Sequence, residues 1–320
     1  MELYEANRIL YSVKAAISAD GYKLPSSAET DGLLMLLGKL DIEKHLAPKI
    51  KHARAQDKAS AAYARSCKLI CFFRALKAVE AGLPDPVTVI SLTMLHKAIT
   101  GDLSDDAGKL RAIDMSTDGN AHTDPKYIGG SLKAIIAKMN EIPGAPMTAK
   151  DDFAGYLSHY MRELIILHPF ERSSEFTLRV FILLFSKIKG FSLGYHRATP
   201  PVVRAAEQKA FATDNVAPLF SMFTECLSYD HKSQQQEQPA PAPRTRREVA
   251  KDLCRPTRAE QQTTPQQQAK PAATKKQPKK QKDEPDDDVI RRAVRLQQKI
   301  SKLNEQLTEL IKPLDGKDDN

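Results

Sequence analysis

Several large classes of protein are made improbable by what this chain lacks. Its four cysteines, Cys67, Cys71, Cys226 and Cys254, form no CxxC pair and no Cys/His set at metal-ligand spacing. Reduced thiols of a cytosolic protein are therefore the expected state. No apolar h-region follows Met1, because Glu2 and Glu5 stand among the first five residues. The longest apolar run, Val180 to Phe185, is far too short to span a bilayer. Neither a secretory signal nor a membrane span is expected, and a cytoplasmic location follows; export as an effector through a receptor-read tail would leave no such mark. A P-loop is also missing. Six residues separate Gly101 from Gly108 where four are needed, and Leu110 follows Lys109 where a hydroxyl would hold magnesium.

What is present is enough for one sizeable core with appendages: 320 residues, of which 41% are apolar. The net charge of +8 sits mostly in the tail, where the segment from His231 onward carries about +6. The basic clusters Lys275-Lys276 and Lys279-Lys280 have no interleaved aromatics, so they support at most weak, nonspecific nucleic-acid contact. Residues 231–285 are rich in Gln, Pro, Lys and Ala, with too little apolar surface to offset ordering entropy, and are expected to be a disordered linker. Asp286-Asp287-Asp288 then opens a heptad pattern, with Val289, Ala293, Leu296, Ile300, Leu303, Leu307 and Leu310 alternating at spacings of four and three. A coiled-coil helix over 286–313, ended by Pro313, is expected to self-associate or pair with a partner helix, with 314–320 a disordered tail.

The first 230 residues read as mainly α. Ile9, Leu10, Val13 and Ile17 recur at helical spacing. Pro25-Ser26-Ser27 reads as a helix start, with Ser27 as the cap ahead of Leu33 to Leu40. Helices are also expected over Ala61 to Val79, Thr88 to Ile99 and Ile128 to Met139. Phe153, Tyr156, Leu157, Tyr160 and Leu164 form an amphipathic stripe leading to His168. Glycines, aspartates and Pro125 punctuate residues 101–125, which predicts a small β-hairpin or flap. Leu178 to Phe185 is apolar nearly all round, as a helix at the domain centre would be.

The stretch His168-Pro169-Phe170-Glu171-Arg172-Ser173-Ser174-Glu175-Phe176-Thr177-Leu178-Arg179 lies between these last two helices. It resembles the motif of the Fic (Fido) family: His-Pro-Phe, any residue, acidic, Gly-Asn-Gly, Arg, two spacers, Arg. Ala107-Gly108-Lys109-Leu110-Arg111, Pro125 with Tyr127 and Ile128, and Phe153 to His168 extend the likeness across most of Leu95 to Ala206. The resemblance implies a Fic-fold helical domain with a β-hairpin flap over 61–230, preceded by an N-terminal helical region over 1–60. Upstream, Ser27-Ala28-Glu29-Thr30-Asp31-Gly32 is similar to the family's inhibitory helix motif, with Asp for Glu. That likeness implies Ser27 and Asp31 as inhibitory residues, with Asp31 facing Arg179; a helix cap followed by a core helix is the alternative.

The family transfers AMP from ATP to a Ser, Thr or Tyr hydroxyl of a target protein. The resemblance implies His168 as the base, since imidazole is poised near neutral pH, and Arg179 as a phosphate ligand. Arg172 stands at the acidic metal ligand's place, where it repels magnesium but could itself contact phosphate, so no metal-ligating residue is assigned. Ser173-Ser174-Glu175 replaces the glycine cradle, and Phe176 replaces the first arginine. Three lost contacts at about 1.5–3 kcal/mol each would lower the rate by several powers of ten. The expectation is a degenerate domain, weak or inactive in AMP transfer, that acts through a protein target or regulator. No cofactor is assigned, and ATP with Mg2+ would serve only if activity survives; the alternative is an adenylyltransferase, or a transferase of another phosphate-containing group, with His168 as base.

Overall fold

The chain is seen in a computed structural model that describes residues 1–230. The expected linker, heptad helix and tail, and Cys254, lie outside the described residues. Among those described, ten α-helices and two short antiparallel strand pairs follow one another. The centre is α8, Ser174–Ile188, whose residues from Ser174 to Ser186 are buried except Glu175. Because Leu178 and Val180 to Phe185 leave no polar face, this helix has to be covered on every side. Four helices share its surroundings: α1 (Leu3–Ser18), α4 (Ala61–Ala81), α5 (Val89–Thr100) and α7 (Lys150–Leu167).

Local signals set most of the boundaries. Ser60 accepts from the Tyr63 amide to start α4, Thr88 and Ser91 form a reciprocal capping box at α5, and Asp124 caps α6, Pro125–Glu141. The flap is smaller than expected: only β1 (Ser116–Thr117) and β2 (Asn120–Ala121) pair, around Asp118-Gly119, while Leu110 to Met115 stays irregular. Three elements had no sequence expectation. They are α3 (Ile42–Arg54), α10 (Ala217–Cys226) and the pair β3 (Phe191–Leu193) with β4 (Leu227–Tyr229), the last anchored by Phe191 stacked at 4.2 Å on Phe153. Cys71 and Cys226 are buried free thiols, pushed up to about 12 and about 11 by burial, as inert reduced cysteines would be.

The expected cap at Ser27 does not form. Helix α2 runs Ser26–Leu36 with Pro25 before it, and no side chain caps its start; Ser27 is an exposed first-turn residue. Proline's fixed extended geometry at residue 25 starts the helix instead. Gly32 has a packing reason. A Cβ there would come within 2.9 Å of Leu76 Cδ1 and 3.0 Å of Leu10 Cδ1, so the glycine is what lets α2 settle between α1 and α4. Gly32→Val should lower stability by about 1–3 kcal/mol through overpacking, read as a lower thermal midpoint in calorimetry; an unchanged midpoint would contradict close packing at this contact.

Candidate functional site

The candidate motif forms the turn between α7 and α8. His168 ends α7 in the left-handed region, φ 43°, and Pro169 prevents the helix from continuing. Ser173 opens α8, also left-handed at φ 53°. The loss of glycine therefore did not remove the positive φ; a serine holds it at a cost of roughly 1–2 kcal/mol. The turn is fixed from outside. Arg111 donates from its backbone amide to the Pro169 carbonyl at 3.0 Å, from Nε to the His168 carbonyl at 2.7 Å, and from its other nitrogens to the carbonyls of Leu167, Ile113 and Thr123. His96 receives the Gly108 amide on Nδ1 at 2.9 Å, which assigns its Nε2–H to the Arg172 carbonyl at 2.9 Å. Its ring stacks on Phe170 at 3.9 Å. Gly108, at φ 82°, is required for this approach, since a Cβ would meet Thr93 O and Lys97 Cβ at 3.0 Å.

Above the turn lies a cavity of about 340 Å³. The end of α1, α4, the flap, α8 and α9 (Pro200–Ala212) wall it. Three acidic side chains, Asp20, Glu175 and Glu207, and three basic ones, Lys68, Arg179 and Arg204, line it. Arg179 is 2% exposed, and its guanidinium is fully engaged. Nε and one terminal nitrogen bind the two oxygens of Glu207 at 2.8 and 2.5 Å; the other terminal nitrogen binds Asp20 at 2.6 Å and the Ala16 carbonyl at 2.8 Å. Burial works against this charge, but Glu207 and Asp20 together outweigh it and hold the guanidinium above its ordinary range.

The remaining expected site residues are scattered. His168 is buried and does not line the cavity; the flap residue His122 lies over its ring at 4.3 Å and in turn stacks on Phe211 at 4.4 Å. Burial, with His122 and Arg111 beside it, pulls His168 down from 6.5 to about 3, so the ring is neutral at physiological pH. Arg172 is exposed and does not line the cavity. Asp31 lies 3.5 Å from His45, and Arg179 has Asp20 and Glu207 as its carboxylate partners, so the expected facing of Asp31 and Arg179 is not what the geometry brings together. The physical reason is position: Asp20 follows directly from α1, whose last turn reaches Arg179, and Asp31 is turned toward α3. Ser27 makes no cap contact.

Asp20, His96, His122 and Glu207 were not expected as site residues. Glu207 left a signal. It falls with Val203, Ala206 and Ala210 on the buried face of α9, a carboxylate on an otherwise apolar stripe. Asp20 and His122 left none.

A cation stands at the expected metal ligand, and Asp20 and Glu207 are committed to Arg179. Among the described residues no group of three His, Cys, Asp or Glu could hold a metal ion. Glu175 stands in the first turn of α8, so a carboxylate already occupies its anion-favouring start.

No family model matches the chain. It is 25% identical over 137 residues to "Probable protein adenylyltransferase Fic" of Salmonella typhimurium, spanning 43% of this chain and 68% of that protein. Over 106 residues it is 31% identical to protein adenylyltransferase VbhT of Bartonella schoenbuchensis, 32% of this chain but 22% of that protein. In fold it is similar to the N-terminal Fic domain of a VirB-translocated Bep effector protein from Bartonella quintana, crystallised with bound ADP. That likeness has a TM-score of 0.51 at 15% identity and covers 57% of this chain and 92% of the other. Among the described residues no helix is long and apolar enough to cross a membrane.

Two measurements follow. Glu207→Ala leaves a buried guanidinium with half its carboxylate partners and should cost about 3–5 kcal/mol in urea unfolding; a loss under 1 kcal/mol would mean the pair is not buried in solution. Acid sensitivity has a defined window. A histidine depressed in the folded state binds its proton first in the unfolded chain, so stability is full above pH 6.5 and falls as pH drops toward 3. His168→Asn, which tolerates the left-handed cap, should flatten this slope by up to about 1.4 kcal/mol per pH unit. Equal slopes for both proteins in pH-resolved unfolding would contradict a buried neutral imidazole.

Proposed function

From the premise that this chain carries a Fic (Fido) domain, we propose that it is weak or inactive as an adenylyltransferase and acts by protein interaction or regulation. One observation carries the reading: the guanidinium of Arg179 is occupied by the protein's own Glu207, Asp20 and Ala16 carbonyl. A triphosphate would have to displace two carboxylates from a buried cation, in a cavity whose acidic and basic linings are equal in number. Glu175, at the start of α8, adds repulsion where phosphate oxygens would approach. The partner would be a target or regulatory protein, and the heptad pattern from Val289 to Leu310 is the sequence feature suited to helix pairing.

Retention of His168 at the end of α7 favours a second reading, AMP transfer to a protein hydroxyl by a chain whose relatives are named adenylyltransferases. The two readings separate in one experiment. Calorimetry of the full chain with Mg-ATP should give no saturable heat at micromolar concentrations, and labelled ATP should leave neither the chain nor a lysate protein modified. Micromolar binding lost in Arg179→Ala, or labelling lost in His168→Ala, would overturn the first reading in favour of the second.

A further inference from the structure

Glu175 is the one carboxylate of the cavity that does not bind Arg179 directly, and it stands at a position where the family motif has glycine. We propose that Glu175 is the positioning residue of His168: its carboxylate is the acceptor for the Nδ1–H donor and fixes the imidazole as the tautomer whose Nε2 carries the free lone pair.

The geometry is local. Nδ1 of His168 is buried and has no hydrogen-bond partner, and Glu175 Oε1 lies 3.6 Å from it. That is a few tenths of an ångström beyond a hydrogen bond, and contacts between a base and the group that orients it commonly tighten when a substrate seats. The other groups facing the ring cannot take this role. His122, from the flap, meets the ring face and directs its Nε2 to Thr117 Oγ1 at 2.9 Å. Arg111 spends its nitrogens on carbonyls, including that of His168 itself. On α8 the facing group is Glu175, which in turn feels Asp20, Arg179 and Glu207 across the cavity.

Electrostatics then selects the tautomer. Burial pushes the Glu175 carboxyl up from its ordinary range, with Asp20 and Glu207 acting in the same sense and Arg179 opposing them; in its ionised form the carboxylate only accepts, so a lone pair on Nδ1 would point at a second acceptor, whereas an Nδ1–H points a donor at it. The same carboxylate lines the cavity, so Glu175 links a buried ring to whatever ligand is bound above it. This pairing uses no phosphate or metal contact and goes beyond either functional reading.

The test is read on the free, full-length chain labelled with 15N-histidine, using two-bond 1H–15N correlations at pH 7, with His168 assigned through His168→Asn. The expected pattern is a neutral ring protonated on Nδ1 in the wild type, shifting toward the Nε2–H form in Glu175→Ala while the other histidines keep their signals. A wild-type ring protonated on Nε2 would overturn the proposal without any variant. So would a His168 pattern unaltered by Glu175→Ala.

Discussion

A guanidinium at the bottom of a protein has to be answered with negative charge, and the answer given to Arg179 organises this molecule. Glu207 arrives from α9 and Asp20 from the end of α1, with the Ala16 carbonyl completing the set. Three helices distant in sequence are thereby tied to one side chain. A buried ion group is weak evidence of stability on its own, but it is demanding about geometry, because a misplaced helix would leave an uncompensated charge. The N-terminal helix is therefore an integral wall of the site, and its apolar face shares one continuous core with the rest of the described chain.

The turn below this cluster keeps its shape by other means. A glycine-rich turn holds its shape through backbone permissiveness; here Ser173 adopts the left-handed conformation under constraint. Arg111 and His96 apply that constraint from the segment before the flap and from α5, gripping the carbonyls of Leu167, His168, Pro169 and Arg172. The shape of the turn is thus imposed by its surroundings, while its own residues, Ser173, Ser174 and Glu175, bring hydroxyl and carboxylate groups.

Much of the fold was legible because it rests on repeating patterns. The apolar stripes of α1, α4 and α7 and the all-round apolarity of α8 announce both the helices and their depth. The site was less legible, because its decisive contacts join residues with no common period. Arg179 could be singled out, but nothing near Asp20 marks it as the partner, and a loose six-residue pattern drew attention to Asp31 instead. Gly32 in that pattern answers to Leu10 and Leu76, a packing demand that a motif cannot distinguish from a regulatory one. His168 was found by its neighbours Pro169 and Phe170, yet its depth beneath His122 depends on the flap closing over it.

The equal numbers of acidic and basic side chains around the cavity bear on how a ligand would arrive. With no excess of either sign, the lining projects a field that decays quickly with distance, and mobile ions screen what is left within about 10 Å. The lining itself favours neither anions nor cations. Among the described residues such a lining discriminates through shape and short-range hydrogen bonding, unlike the excess positive charge of a phosphate funnel.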